Sequence, residues 1–126
     1  MRLLLDTHII VWWSEGSPRL GSRARDLLED SESRLFVSTA SWWEIAIKKS
    51  LGRLQFDFGR TREALSRREV ETLPITMSHA ETAARLKRLH GDPFDHMLVA
   101  QATDEGLTLI TRDVRLKPYG SHVSCV

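Results

Sequence analysis

An α/β fold on a mainly parallel central sheet is the architecture this sequence predicts, and three observations predict it. Short apolar runs of strand length alternate with longer segments of helical period, the pattern of successive strand–helix–strand units. The runs Arg2 to Leu5 and Leu107 to Ile110 are apolar with little alternation, as strands covered on both faces are. The segment running through Met97-Leu98-Val99-Ala100-Gln101-Ala102 is apolar on nearly every side, which is the signature of a helix buried inside a domain. At 126 residues the chain has enough length for a single core, so one domain over residues 1–126 is expected.

Each element follows from local chemistry. Arg2 to Leu5 reads as the first strand and ends in Asp6-Thr7, which can cap a helix over His8 to Trp13. Gly16-Ser17-Pro18 breaks that helix. Leu20, Ala24, Leu27 and Leu28 recur at helical spacing, giving an amphipathic surface helix from Leu20 to Asp30. Arg34 to Ser38 is the second strand. Ser41-Trp42-Trp43-Glu44 has the form of a capping box, Ser followed three residues later by Glu, and opens a helix that stops near Gly52. Leu54 to Phe58 is a loop, and Arg60 to Glu69 a charged exposed helix. Leu73-Pro74-Ile75 is briefly extended. Ser78 caps a helix with Ala80, Ala83, Ala84 and Leu86 inward, ending near Gly91, and His79 and His90 lie on it as surface residues. Asp92-Pro93-Phe94-Asp95 then opens the buried helix, closed by Glu105-Gly106. Leu107 to Ile110 is the next strand, and His122 to Cys125 a candidate edge strand.

Composition narrows the class. Hydrophobic and charged shares of 41% and 28% are those of an ordinary globule. A net charge of +1 argues neither for nor against a nucleic-acid partner. The single cysteine, Cys125, has no partner for a disulfide, and no Cys/His cluster has zinc spacing. No apolar stretch is long enough to span a bilayer and no cleavable leader follows Met1, so a cytoplasmic protein without membrane attachment is expected.

Four acids carry the functional expectation. In an open parallel sheet, ligands bind beyond the carboxyl ends of the strands. Asp6 directly follows the first strand, and Asp113 follows the Leu107 to Ile110 strand by a short turn. Asp95 opens the helix leading into that strand, and so starts on the same rim. Glu44 lies near the start of another helix. Each has a plainer reading: Asp6 as a helix cap, Glu44 as half of a capping box, Asp113 as a turn residue, Asp92 and Asp95 as answers to a helix dipole. Together they are harder to dismiss, because clustered carboxylates repel unless a divalent cation neutralises them. Mg²⁺ or Mn²⁺ suits an all-oxygen site, and such a site can activate water against a phosphoryl group. His8 and His96, each beside a candidate acid, could approach the pocket or simply pack.

The chain resembles the PIN-domain ribonucleases, in particular the VapC-type toxins of bacterial toxin–antitoxin pairs. The matching blocks are Leu3-Leu4-Leu5-Asp6-Thr7-His8, Val37-Ser38 with Ser41-Trp42-Trp43-Glu44-Ile45-Ala46-Ile47-Lys48 and Leu51-Gly52, Asp92-Pro93-Phe94-Asp95-His96-Met97-Leu98-Val99-Ala100-Gln101-Ala102, and Leu109-Ile110-Thr111 with Asp113. They occur in the family's order over nearly the whole chain. The resemblance implies an α/β/α sandwich and Mg²⁺- or Mn²⁺-dependent cleavage of single-stranded RNA, leaving a 5′-phosphate and a 3′-hydroxyl. Carried over by position, Asp6, Glu44, Asp95 and Asp113 are the catalytic and metal-binding acids. Thr7, Ser41 and Thr111 are hydroxyls placed to orient a carboxylate or water. Asp92 is a helix-start residue.

The resemblance also implies a cognate antitoxin and a homodimer. A basic stretch from Lys48 to Arg68, including Lys48, Lys49 and Arg53, offers contacts to RNA phosphates, or else a solvated face. The pairs Trp12-Trp13 and Trp42-Trp43 place neighbours about 100° apart on a helix, so one member of each is expected to pack and the other to stay available. Two other readings remain: a receiver-type Mg²⁺-binding signalling domain, which Thr111 and Lys117-Pro118 superficially fit, and a non-catalytic PIN-like module that binds RNA or protein.

Overall fold

Five short strands pair in parallel in a computed structural model, which describes residues 1–87 and 91–126. They are β1 (Arg2–Leu5), β2 (Arg34–Ser38), β3 (Glu71–Leu73), β4 (Thr108–Thr111) and β5 (Val123–Cys125), in the spatial order β3-β2-β1-β4-β5. Leu4 sits opposite Phe36 on one side and Leu109 on the other, which makes β1 the middle strand. Its three leucines are fully buried, as a strand covered on both faces requires. The edge strand expected at the C-terminal end is present as β5.

Six helices cover the sheet: α1 (Thr7–Glu15), α2 (Ser22–Glu29), α3 (Thr39–Ser50), α4 (Phe58–Arg67), α5 (Met77–Arg85) and α6 (Pro93–Glu105). Leu3 and Leu5 enter one core with Ile9, Ile10, Val37 and Ile45; Leu4 enters a second core with Leu98, Val99, Leu109 and Leu116. The two-residue period of a strand thus divides the apolar side chains between two layers, and the result is the α/β/α sandwich. In α6 the run Leu98–Ala102 is buried without interruption, because α6 is packed against the second core and is also touched by α3 and α5.

Several local expectations are corrected. Ser41–Glu44 is no capping box: α3 begins at Thr39, and the Ser38 hydroxyl accepts from the Ala40 N–H at 3.0 Å. β2 runs directly into α3, so the last strand residue is the first hydroxyl able to cap. Likewise Thr76, two residues before Ser78, caps α5, and it shares a capping box with His79. His79 is therefore turned inward and 1% exposed rather than lying on a surface, while Ala80 and Ala84 face out. The described part of α5 ends at Arg85; His90 lies outside the described residues. The helix expected from Leu20 is divided by Gly21, at φ +79°, into a 3₁₀ turn (Pro18–Leu20) and α2. The extended piece expected at Leu73 to Ile75 is formed instead by Glu71–Leu73. Of the tryptophans, Trp42 packs and Trp43 is 64% exposed, as the helical geometry predicts, whereas Trp12 and Trp13 are both half-buried against the core.

Candidate metal centre

The strand order reverses direction between β1 and β4. The chain steps outward from β1 through β2 to β3, then crosses back to continue with β4 and β5. A crevice beyond the carboxyl ends of β1 and β4 is where such a sheet binds ligands, and the residues at those ends are Asp6 and Thr111–Asp113.

Asp6 is 2% exposed, and its N–H donates to the Ile110 carbonyl at 3.0 Å, joining the ends of the two strands. It holds the cap position of α1, yet its side chain makes no capping hydrogen bond. One carboxylate oxygen instead accepts from the Thr111 hydroxyl at 2.6 Å. Burial pushes the Asp6 carboxyl above its ordinary range; the Thr111 hydroxyl, His8 and the Thr7 N–H work against that, and Glu44 adds to it.

Asp95 lies in the first turn of α6 and is 7% exposed. Its carboxyl is pushed up to about 8, first by burial and then by the charges of Asp6, Asp92, Glu44 and Asp113. Four carboxylates, three of them from distant parts of the chain, therefore act on one buried acid. Asp92 performs the capping, its carboxylate accepting from the N–H groups of Phe94 and Asp95 at 2.9 and 3.3 Å. Pro93 at the start of α6 needs no such partner, which suits a proline to that position.

Glu44 is buried on α3 and accepts a hydrogen bond from Lys48, one turn on, at 2.7 Å. Asp113 stands at the rim, half-buried. It caps the 3₁₀ turn Val114–Tyr119 through the Arg115 N–H at 2.9 Å, and it pairs with the Arg115 guanidinium at 2.7 Å. Its push on Asp95 is the weakest of the four. Among the three expected hydroxyls, Thr111 holds a carboxylate. Thr7 donates to Ser41 at 3.0 Å, tying α1 to α3 just beneath the acids.

The other expected residues divide. His96 is buried and its ring is hydrogen-bonded to the Tyr119 hydroxyl at 2.8 Å, within the second core layer. His8 is exposed and lines the crevice with Asp6 and Asp113. Lys49 donates to the Phe56 carbonyl and lies over the Phe58 ring at 5.3 Å, so it anchors the loop before α4. Arg53 lies in the exposed turn after α3. Sequence reasoning passed over the Glu44–Lys48 pair, although an acid four residues before a lysine on a helix is its signal. It also passed over the charge that Asp92 adds to Asp95.

Among the described residues, no three His, Cys, Asp or Glu side chains form a ready cage for an ion. The donor set still fits a hydrated Mg²⁺ or Mn²⁺. Mg²⁺ keeps several waters and binds through one or two carboxylates, and a cation would offset the burial and neighbouring acids that raise Asp6 and Asp95. The larger hollows lie elsewhere: one of about 570 Å³ between α3 and α4, lined by Val37, Trp42, Phe58, Arg62, Leu65 and Val70, contains no acid.

Fold and site together define an α/β protein with an acidic, all-oxygen centre at the switch point of a parallel sheet. The chain belongs to the PIN-domain family, whose model matches residues 3–120. This membership removes the receiver-type alternative. The chain is similar to the ribonuclease VapC22 of Mycobacterium tuberculosis, with 34% identity over 119 residues, 93% of this chain and 91% of that one. A toxin–antitoxin complex from Klebsiella pneumoniae contains a chain 26% identical, with a TM-score of 0.67 and coverage of 97% and 95%. The VapBC2 complex of Rickettsia felis, bound to a DNA fragment from its promoter, matches at a TM-score of 0.73 over 100% of this chain and 98% of that one. At 16% identity that last likeness speaks to the fold alone.

Proposed function

We propose that this chain is a divalent-metal-dependent endoribonuclease acting on single-stranded RNA, and the toxin of a toxin–antitoxin pair, with residues 1–126 working as one domain in the cytoplasm. The observation that carries the reading is Asp95, a buried carboxyl raised to about 8 by its surroundings. A buried carboxyl raised by its burial and by a set of neighbouring acids supports a cation site. The likeness to a ribonuclease over most of both chains supports the substrate class, and the toxin–antitoxin complex supports the partner.

Asp6 and Asp95 would hold Mg²⁺ or Mn²⁺, with Glu44 close by and Asp113 at the rim. The chemistry such a cation supplies when bound is an activated water and neutralisation of charge on the phosphoryl group. The chain's own groups prepare for it. Thr111 fixes one Asp6 oxygen and so orients the carboxylate. Lys48 holds Glu44 on α3. The rigid α6 sets Asp95, and burial excludes bulk water from both aspartates. No side chain is required as a covalent nucleophile; water attack leaves a 5′-phosphate and a 3′-hydroxyl. Lys48 and Lys49 are engaged within the fold, which leaves Arg53 as the best placed of the three expected RNA contacts. The mixed apolar and polar hollow between α3 and α4 is the place we assign to an antitoxin segment. A homodimer follows from the family and is tested by sedimentation equilibrium, where a monomer at micromolar concentration would refute it. Among the described residues no helix is long and apolar enough to cross a membrane.

The test is cleavage of a single-stranded oligoribonucleotide by purified protein with Mg²⁺ or Mn²⁺, beside Asp95→Asn. Cleavage by the wild type, lost on chelation and in the variant, is expected. Undiminished cleavage by Asp95→Asn would sink the assignment. Calorimetric titration with Mn²⁺, with and without Asp6→Asn, separates a catalytic centre from a binding module, since the module predicts no site-dependent heat.

A further inference from the structure

Beside the acids the surface opens into a crevice of about 200 Å³, lined by Asp6, His8, Trp12, Arg112 and Asp113. The proposed chemistry uses the two acids and gives the other three side chains no role. His8 and Trp12 stand one helical turn apart on α1 and are stacked, with ring centroids 5.6 Å apart and planes inclined by 30°. Trp12 packs against the core and anchors the pair; His8 is exposed and presents it to the opening.

Arg112 is exposed and lines the same crevice. Its backbone is fixed between Thr111, whose hydroxyl holds Asp6, and Asp113, whose N–H donates to that same hydroxyl at 2.9 Å. Its guanidinium lies over Gly21, where a Cβ would stand 2.5 Å from Nη1. Gly21 also has φ +79°, so both the backbone and the seat of the arginine call for glycine there. A flat aromatic pair, a guanidinium and two acids around one opening match the parts of a nucleotide. Aromatic faces stack any base of a single strand, and a guanidinium takes phosphate oxygens in a forked pair of hydrogen bonds. Arg112 sets a permanent positive charge beside the two carboxylates of the crevice.

We infer that this crevice is a nucleotide subsite, in which a base of the RNA strand stacks on His8 and Trp12 while Arg112 holds an adjoining phosphate, setting the strand's register on the acids. The inference rests on the ribonuclease reading and assigns it a specificity surface. Neither α4 nor its hollow takes part.

The test uses the full chain with Mn²⁺ and a set of single-stranded oligoribonucleotides, each lacking the base at one position. For the wild type, one position near the cut should cost on the order of tenfold in kcat/KM, the worth of one stacked base. In His8→Ala the intact RNA should lose about as much, and the abasic position should then cost nothing further, because platform and base are lost together. Trp12→Phe, which keeps the packing, should retain most of the wild-type sensitivity. Arg112→Ala should raise KM and make the salt dependence shallower by about 0.7 in log–log slope, one phosphate contact on a single strand. Cleavage in which His8→Ala and the abasic position multiply, or in which no position matters, overturns the subsite and leaves the ribonuclease standing. A wild-type protein that cleaves no RNA overturns both.

Discussion

The two ends of α6 carry acids in opposite circumstances. At its C-terminal end Asp104 accepts from the Thr82 hydroxyl at 2.7 Å and from Ser78 at 2.9 Å, and Glu105 meets His79 at 2.8 Å. The Thr82 hydrogen bond leads a set that holds the Asp104 carboxyl below its ordinary range. At the N-terminal end Asp95 is buried among carboxylates and held far above that range. One helix thus spends its last turn fastening α5 and its first turn holding a buried acid among other acids. A site differs from a fastening by its neighbours, and residue type or position on the helix does not distinguish them.

The comparison can be broken first at Asp95. Asp95→Asn should lower metal-dependent RNA cleavage by roughly a hundredfold or more, read as initial rate on purified protein. The melting temperature in chelator should stay level or rise, because a repelled charge has been removed. A variant that unfolds instead would make Asp95 part of the fold.

The pH dependence of stability is the second lever. The folded Asp95 carboxyl titrates at about 8 against an ordinary value of 3.8, so the folded state keeps a proton that the unfolded chain releases. Its stabilising contribution is complete below 3.8 and is lost as pH rises to 8; Asp6, raised in the same direction, acts likewise. Metal-free protein should therefore melt several degrees lower at pH 8 than at pH 5, and Asp95→Asn should have a flatter profile. Excess Mn²⁺ should restore the wild type at pH 8. Superimposable profiles for the two proteins in chelator would show that burial and the neighbouring acids do not raise Asp95.

Changes at the other end should touch stability alone. His79→Ala removes a buried ring that accepts from the Thr76 N–H at 3.0 Å and meets Glu105, at a cost of about 2 kcal/mol. Thr82→Ala loses one partly exposed hydrogen bond, worth about 0.5 kcal/mol after solvent screening. Both are read by denaturant melts, with cleavage per folded molecule unchanged; a tenfold fall in activity from either would show that the two ends are coupled.

Legibility in the sequence followed the same division. β1 and β2 were readable because strands covered on both faces are continuous apolar runs, and the buried part of α6 because it is apolar all round. Asp6 and Asp95 were legible as neighbours because each stands at an element boundary on the same rim, Asp6 after β1 and Asp95 in the first turn of α6. The cap of α3 was misplaced because Ser38 and Ser41 both offer hydroxyls, and the choice depends on β2 running on without a loop. The inward face of α5 was misread because alanines and a histidine compete for it, and Glu105 and Gln101 on α6, met only in three dimensions, settle the matter for His79. Arg112 over Gly21 joins residues far apart in the chain, which no local pattern announces.

The bond from Thr111 to Asp6 spans 105 positions of the chain. Synthesis therefore delivers Asp6 long before its partner, and β1 waits for β4 throughout that interval. A nascent chain, or a fragment ending before residue 108, holds Asp6 and Glu44 but has neither the hydroxyl nor the flanking strand that frame them. Assembly of the centre is thus deferred until β4 has been made.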